Sequence, residues 1–144
     1  MIRLAQDGDR LAILDMCRQF HAESGVGLAF NQAVAITTID QVIASPDALA
    51  LVLELDGAIH GVFAAAIVPN MFSHEQCAQE LMWWVDPAHR GRGALRMLTE
   101  YEAWAKSKGC SAINMVGLGA DPVTTHVYER CGYIAQERHF LKRL

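Results

Sequence analysis

The densest chemical pattern in this sequence is Val85-Asp86-Pro87-Ala88-His89-Arg90-Gly91-Arg92-Gly93-Ala94-Leu95. An apolar strand-like run ends there, glycines follow, and an amphipathic helical run begins with almost no spacer. The N–H groups in the first turn of a helix lack intrahelical partners and sit at the positive end of the helix dipole. Gly91 and Gly93 would let an anion approach that backbone closely, and Arg90 and Arg92 offer forked, charged hydrogen bonds to phosphate oxygens. The pattern therefore predicts a phosphate cradle. The competing reading is a tight strand-to-helix turn with solvated arginines. Two nucleotide motifs do not fit. A P-loop needs a Lys-Ser/Thr pair where Ala94-Leu95 stands, and a dinucleotide fingerprint needs a small residue where Arg96 stands.

Elsewhere the chemical signals are sparser. His74-Glu75 is not a zinc-protease motif, because position 78 would have to be histidine and is Ala78. The six histidines show no metal-ligand spacing, so the sequence predicts no metal. Cys17, Cys77, Cys110 and Cys131 lie far apart without a C-x-x-C pair and read as reduced, small hydrophobes. Trp83 and Trp84 are consecutive, so a strand would send them to opposite faces, one into the core and one toward a cleft.

The elements that must position these residues follow from periodicity and punctuation. Residues 1–6 suit a short strand. From Asp7 the residues Leu11, Ile13, Leu14, Cys17, Phe20 and His21 recur at helical spacing until Gly25, with Asp7 or Asp9 as the cap. Residues 25–30 read as loop. Asn31 caps a second helix that carries Ile36, Ile39, Val42 and Ile43 and stops before Pro46. Residues 49–55 and 58–68 are strands joined by Asp56-Gly57, a strong hairpin signal. Residues 70–76 are polar loop, 80–85 another strand, 94–108 a helix ended by Gly109, and 112–116 a short strand. Asp121-Pro122 pairs a capping residue with proline at the first helical position, predicting a helix to Arg130 that Gly132 ends. Residues 133–144 suit a final strand. The order β-α-α-β-β-β-α-β-α-β describes a mixed α/β (α+β) domain over residues 1–144, with mostly antiparallel strands and a crossover near the end.

Composition narrows the function classes. The 144 residues are 52% hydrophobic and 19% charged, which suits a full core rather than disorder. The longest apolar stretch, 61–69, is far short of the roughly 20 residues that cross a bilayer. Arg3, Asp7, Asp9 and Arg10 stand where a signal peptide would be apolar, so a cytoplasmic location is expected. A net charge of −4 gives no general attraction to nucleic acid.

The motif as a whole resembles the acetyl-CoA loop of the GNAT N-acetyltransferase superfamily. That loop reads Arg/Gln-x-x-Gly-x-Gly/Ala after a strand ending Val-x-Pro, and Val85-Asp86-Pro87 followed by Arg90-Gly91-Arg92-Gly93-Ala94 is similar to it. The last small position holds Leu95, a departure. Tyr128-Glu129-Arg130-Cys131-Gly132-Tyr133 resembles the family's Tyr-x-Lys-x-Gly-Phe, and Phe140-Leu141-Lys142-Arg143-Leu144 looks like its final strand. The resemblance spans nearly the whole chain and implies a sheet of six to seven strands flanked by about four helices.

The same resemblance implies the chemistry. The strands at 80–85 and 112–116 would splay at a bulge, and pantetheine would pair with the backbone near Trp83 and Val85. The pyrophosphate would meet the N–H groups of residues 90–95. Tyr128 takes the family's place for the acid that protonates the departing thiolate. Glu80 takes that of the general base, with His74 and Glu75 as loop alternatives. Strand alternation puts Glu80 opposite Val85 unless a bulge intervenes. The expected reaction is direct transfer of acetyl from acetyl-CoA to a primary amine in a ternary complex. No cysteine is placed for a covalent acyl-enzyme. Residues 23–31, the second helix and residues 70–76 would select the acceptor. The rival readings are an acyl-CoA-binding domain without catalysis and a transferase of a longer acyl group. The family resemblance also allows a homodimer through the final strand, by way of Ile134, Phe140 and Leu141, with a monomer as the alternative, because a final strand inserted in the sheet buries the same residues.

Overall fold

Period-two apolar runs in the first two thirds of the chain build one sheet, and three-to-four-spaced runs build the helices that cover it. The computed structural model describes residues 1–118, 122–137 and 139–144. Along the chain these form β1 (Ile2–Leu4), a 3₁₀ turn (Asp7–Asp9), α1 (Arg10–Ser24), α2 (Gln32–Ala44), β2 (Ala48–Leu55), β3 (Ala58–Pro69) and β4 (Gln76–Val85). A second 3₁₀ turn (Pro87–His89), α3 (Arg92–Ser107), β5 (Ala112–Asn114) and α4 (Thr125–Arg130) follow. The described strands form a five-stranded sheet in sequence order, antiparallel from β1 to β4, with β5 parallel to β4. This is an α+β fold. Among the described residues no helix is long and apolar enough to cross a membrane.

Local chemistry explains the boundaries. Asp56 and Gly57 both take positive φ, +50° and +79°, the combination that closes a two-residue hairpin without splaying its strands. Asn31 Oδ1 accepts from Val34 N–H at 3.1 Å and starts α2, and Gly25 in the left-handed region ends α1. Asp9 does not cap α1 with its side chain. Its carboxylate binds the Arg3 guanidinium through both oxygens, at 2.7 and 2.9 Å, and ties α1 to β1. That fork holds the Asp9 carboxyl below its usual range, against the opposing effect of burial.

Strand alternation divides the core in two. Leu49, Leu51, Leu53, Phe63, Ala65, Ala78 and Val85 point to α3, where Ala94, Met97, Leu98, Tyr101 and Ala105 close the layer. Val52, Val62 and Trp84 point the other way, onto Ile13, Leu14 and Met16 of α1 and Ile39 of α2. Each such aliphatic side chain contributes about 1.5–3 kcal/mol on burial.

Four expectations change. β4 begins at Gln76 rather than Glu80, because Gln76 to Gln79 continue the β3 ladder despite their polarity. β5 stops at Asn114, where its ladder with β4 ends. The last helix begins at Thr125, after a turn in which Thr125 N–H donates to Pro122 O; the capping role expected of Asp121 lies outside the described residues. No strand forms among the described residues of 133–144, so the sheet of the described residues has five strands where six to seven are expected. Ile134-Ala135 and Phe140-Leu141 are adjacent apolar pairs, so a half-buried strand would leave one of each pair in water. Ile134, Phe140 and Leu141 are exposed.

Candidate active site

One extra residue in β4 decides which side chains meet. β3 and β4 pair from Gly61↔Val85 to Ala64↔Met82, then from Ala65↔Glu80 to Pro69↔Gln76, which leaves Leu81 as a bulge. A bulge shifts the alternation by one position. Glu80 therefore shares the α3 side with Trp83 and Val85, while Met82 and Trp84 pack toward α1 and α2. Of the two tryptophans, Trp84 is the packing residue and Trp83 is half-buried beside α4, its ring stacked on Tyr128 at 6.3 Å between centroids.

The neighbouring strand leaves β4 at this same place. β5 pairs with β4 only through Cys77↔Ala112, Ala78↔Ile113 and Gln79↔Asn114. From Glu80 to Val85, the edge of β4 away from β3 has no strand partner among the described residues. Asp86 N–H donates to His60 O at 2.9 Å, which marks Gly61↔Val85 as a pair that exchanges no hydrogen bonds of its own. The N–H and C=O of Val85, and of Trp83 two residues earlier, consequently point to that open edge. Arg90 Nε already donates to Val85 O at 2.9 Å.

Val116, just past β5, links the two candidate catalytic side chains. Its N–H donates to Glu80 Oε2 at 2.8 Å, and its carbonyl accepts from the Tyr128 hydroxyl at 3.1 Å. Glu80 is 5% exposed. Burial pushes its carboxyl up to about 7, and the Val116 N–H offsets part of that rise by stabilising the anion. Burial likewise pushes the Tyr128 hydroxyl up to about 12, with the nearby Glu80 charge adding to the effect and a hydrogen bond with Thr124 opposing it. A carboxyl group near neutrality beside a hydroxyl that stays protonated has the chemistry a base–acid pair requires. His74 and Glu75 lie in the exposed loop before β4, and no described hydrogen bond joins them to Glu80 or Tyr128.

The predicted cradle sits at the start of α3. Gly91 is its N-cap, so the N–H groups of Arg92, Gly93 and Ala94 have no partner four residues back. Leu95 N–H donates to Gly91 O at 3.1 Å, the first helical bond; Leu95 thus brings no free N–H, a correction to the cradle of residues 90–95. A Cβ on Gly91 would meet nothing within 4 Å, and on Gly93 only Leu53, at ordinary contact distance. Room at Gly91 is therefore open to a ligand, whereas Gly93 lets the helix start pack against Leu53. Arg90 lies with its guanidinium 5.0 Å from the Trp84 ring, while Arg92 is exposed.

The linking role of Val116 escaped the sequence reading, since a backbone contact carries no residue-type signal. So did the approach of His60 to Asp86 and His89, whose separation along the chain hides it.

Comparison with known proteins identifies the family and the fold. The profile of the acetyltransferase (GNAT) family matches residues 14–133. Among curated proteins, none matches the sequence. Solved structures share the fold at low identity. One is AAC(6')-Iy with the bisubstrate analog CoA-S-monomethyl-acetylneamine, at TM-score 0.82, 16% identity and coverage of 100% of this chain and 97% of that one. A predicted acetyltransferase from Clostridium acetobutylicum with acetyl-CoA has TM-score 0.82, 16% identity and coverage of 99% and 95%. The aminoglycoside antibiotic 6'-N-acetyltransferase AAC(6')-IG from Acinetobacter haemolyticus has TM-score 0.76, 21% identity and coverage of 100% and 99%.

Proposed function

Because the chain belongs to the GNAT acetyltransferase family, we propose that it transfers an acetyl group from acetyl-CoA to a primary amine by direct attack within a ternary complex. The observation that carries the reading is the bridge through Val116, which joins Glu80 and Tyr128 beside the unpaired edge of β4. In this reading the pantetheine arm pairs with the open edge at Trp83 and Val85. The pyrophosphate meets the N–H groups of Arg92, Gly93 and Ala94, with Gly91 giving room and Arg90 and Arg92 giving charge.

Glu80 acts as general base. An amine of pKa about 10.4 lies about 3.4 units above neutral pH, so its deprotonation costs about 4.6 kcal/mol. A carboxylate with a pKa near 7 accepts that proton better than one at its ordinary value. The amine nitrogen then bonds to the thioester carbonyl carbon, the carbon–sulfur bond breaks as Tyr128 gives its hydroxyl proton to the departing sulfur, and the second proton shed by the acylated nitrogen restores the Tyr128 hydroxyl. The acceptor belongs to the class of small-molecule amines. The aminoglycoside acetyltransferase named above supports that class through its shared fold. Residues 23–31, α2 and residues 70–76 choose among acceptors. Residues 1–144 act as one domain, in the cytoplasm, and fractionation of expressing cells checks the location.

A panel of amines with acetyl-CoA, read by thiol release, tests the proposal. Turnover with at least one small amine is expected. Binding of acetyl-CoA without turnover of any acceptor would favour a non-catalytic acyl-CoA-binding role. Faster release from a longer acyl-CoA, such as succinyl-CoA, would change the donor.

A further inference from the structure

At the C-terminal end of β4, three potential metal ligands from two separate segments of the chain converge. His60, Asp86 and His89 each offer one ligand atom, all within 4.8 Å of one another. The backbone places them deliberately close. β2 pairs with β3 at Leu53↔Gly61 and Glu54↔Ile59, so His60 is the extra residue of a second bulge, a feature that re-aims a side chain. Asp86 N–H donates to the carbonyl of that same His60 at 2.9 Å. Asp86 then caps the 3₁₀ turn Pro87–His89, and His89 N–H donates back to Asp86 O at 2.8 Å. In a 3₁₀ turn the side chains at i and i+3 eclipse, which sets Asp86 and His89 on one side of the turn.

The side chains bear out that backbone arrangement. His60 Nδ1 and Asp86 Oδ2 are 2.9 Å apart, and the His60 and His89 rings lie 4.0 Å apart between centroids. His89 Nδ1 is buried with no hydrogen-bond partner, so the chain itself leaves this ring under-satisfied. His60 and Asp86 remain about a quarter exposed, which gives an ion access and leaves room for a further ligand. Two imidazoles and a carboxylate form a borderline donor set suited to zinc-class cations, usually completed by water in a fourth position. Ligand atoms around tetrahedral zinc stand roughly 3.4 Å apart, and those of this cluster already lie within 4.8 Å of one another.

We propose that His60, Asp86 and His89 form a binding site for a divalent cation of the zinc class, which fastens the bulge of β3 to the turn that leads into α3. The next residues are Arg90 and Gly91, so an ion here restrains the entrance to the helix start. The site does not depend on the acetyl-transfer reading, and its test needs no coenzyme.

The full chain is stripped with a chelator, then titrated with zinc by equilibrium dialysis and with cobalt(II) by visible absorption. One zinc per chain, visible cobalt bands of a nitrogen–oxygen site, and a zinc-dependent rise in Tm are expected. His60→Ala and His89→Ala should weaken zinc binding at least about ten-fold. His126→Ala and Cys131→Ser, at exposed positions, should leave it unchanged. If an alanine variant does not fold, as judged by its metal-free circular dichroism, His60→Gln and His89→Gln are read instead. Absence of stoichiometric zinc in the wild type, or equal binding by the His60 and His89 variants, would overturn the proposal and leave a hydrogen-bonded cluster that only packs.

Discussion

At the scale of single residues, the proposed roles of Glu80 and Tyr128 can be separated by experiment, because burial displaces their pKa values to about 7 and about 12. As the proposed base, Glu80 would have to be ionised, so kcat/KM should rise with pH through about 7 and level off above it. Glu80→Gln keeps an oxygen for the Val116 N–H but removes the base, and should abolish that rise together with most of the activity. Stability should move the other way. The folded carboxyl sits near 7 and the unfolded one near 4.5, so the folded state holds the extra proton between those values. Stability falls as pH climbs through that window, by roughly 3 kcal/mol at 1.36 kcal/mol per unit. Chemical denaturation from pH 4 to 8 should show this slope in the wild type and a flatter profile in the glutamine variant. Tyr128→Phe keeps the ring stacked on Trp83 and deletes the proton donor. It should lower kcat by about 10²–10⁴-fold with little change in CoA affinity. Loss of the hydroxyl's bond to Val116 O should cost only about 0.5–1.5 kcal/mol of stability. A wild-type kcat would reduce Tyr128 to packing.

At the scale of elements, the decisive features are an irregular strand and a helix start. The Leu81 bulge lets β4 present Glu80, Trp83 and Val85 on one side while its continuous ladder with β3 keeps the strand rigid. The start of α3 supplies N–H groups without partners, and small residues keep them reachable. Gly93→Asp puts bulk and negative charge at that start. A carboxylate in the first turn suits the helix dipole, so α3 itself should tolerate it. CoA should nevertheless fail to raise the Tm of this variant, whereas it raises that of the wild type by mass action. Thermal shift over a CoA titration measures the difference, and an equal shift in both proteins would remove the phosphate cradle.

At the scale of the whole molecule, the sheet separates two apolar layers, and among the described residues the chain after α4 joins neither cluster. Ile134, Phe140 and Leu141 are 78%, 90% and 64% exposed. Apolar side chains left out of the chain's own sheet are available to a second copy, which favours the homodimer that the family resemblance allows. Sedimentation at micromolar concentration should give a dimer mass, and Phe140→Asp should shift it to monomer. A monomeric mass for the wild type throughout would dismiss the pairing.

Elements with local causes were legible in the amino-acid order alone: the Asp56-Gly57 hairpin, the Asn31 cap, the Gly25 stop, and the glycine-rich passage into α3. Each depends on residues a few positions apart, so spacing reports it directly. The family signals at 85–95 and 128–133 were legible for the same reason, and with them Tyr128. Tertiary structure alone decided the side on which Glu80 lies, because one unpaired residue at Leu81 reverses an alternation that the sequence leaves even. It also decided that Val116 joins Glu80 to Tyr128, that His60 meets Asp86 and His89, and that residues 133–144 add no described strand. Those outcomes depend on backbone register between segments tens of residues apart. Register is settled by the packing of both faces of the sheet at once, which no local pattern in the sequence encodes.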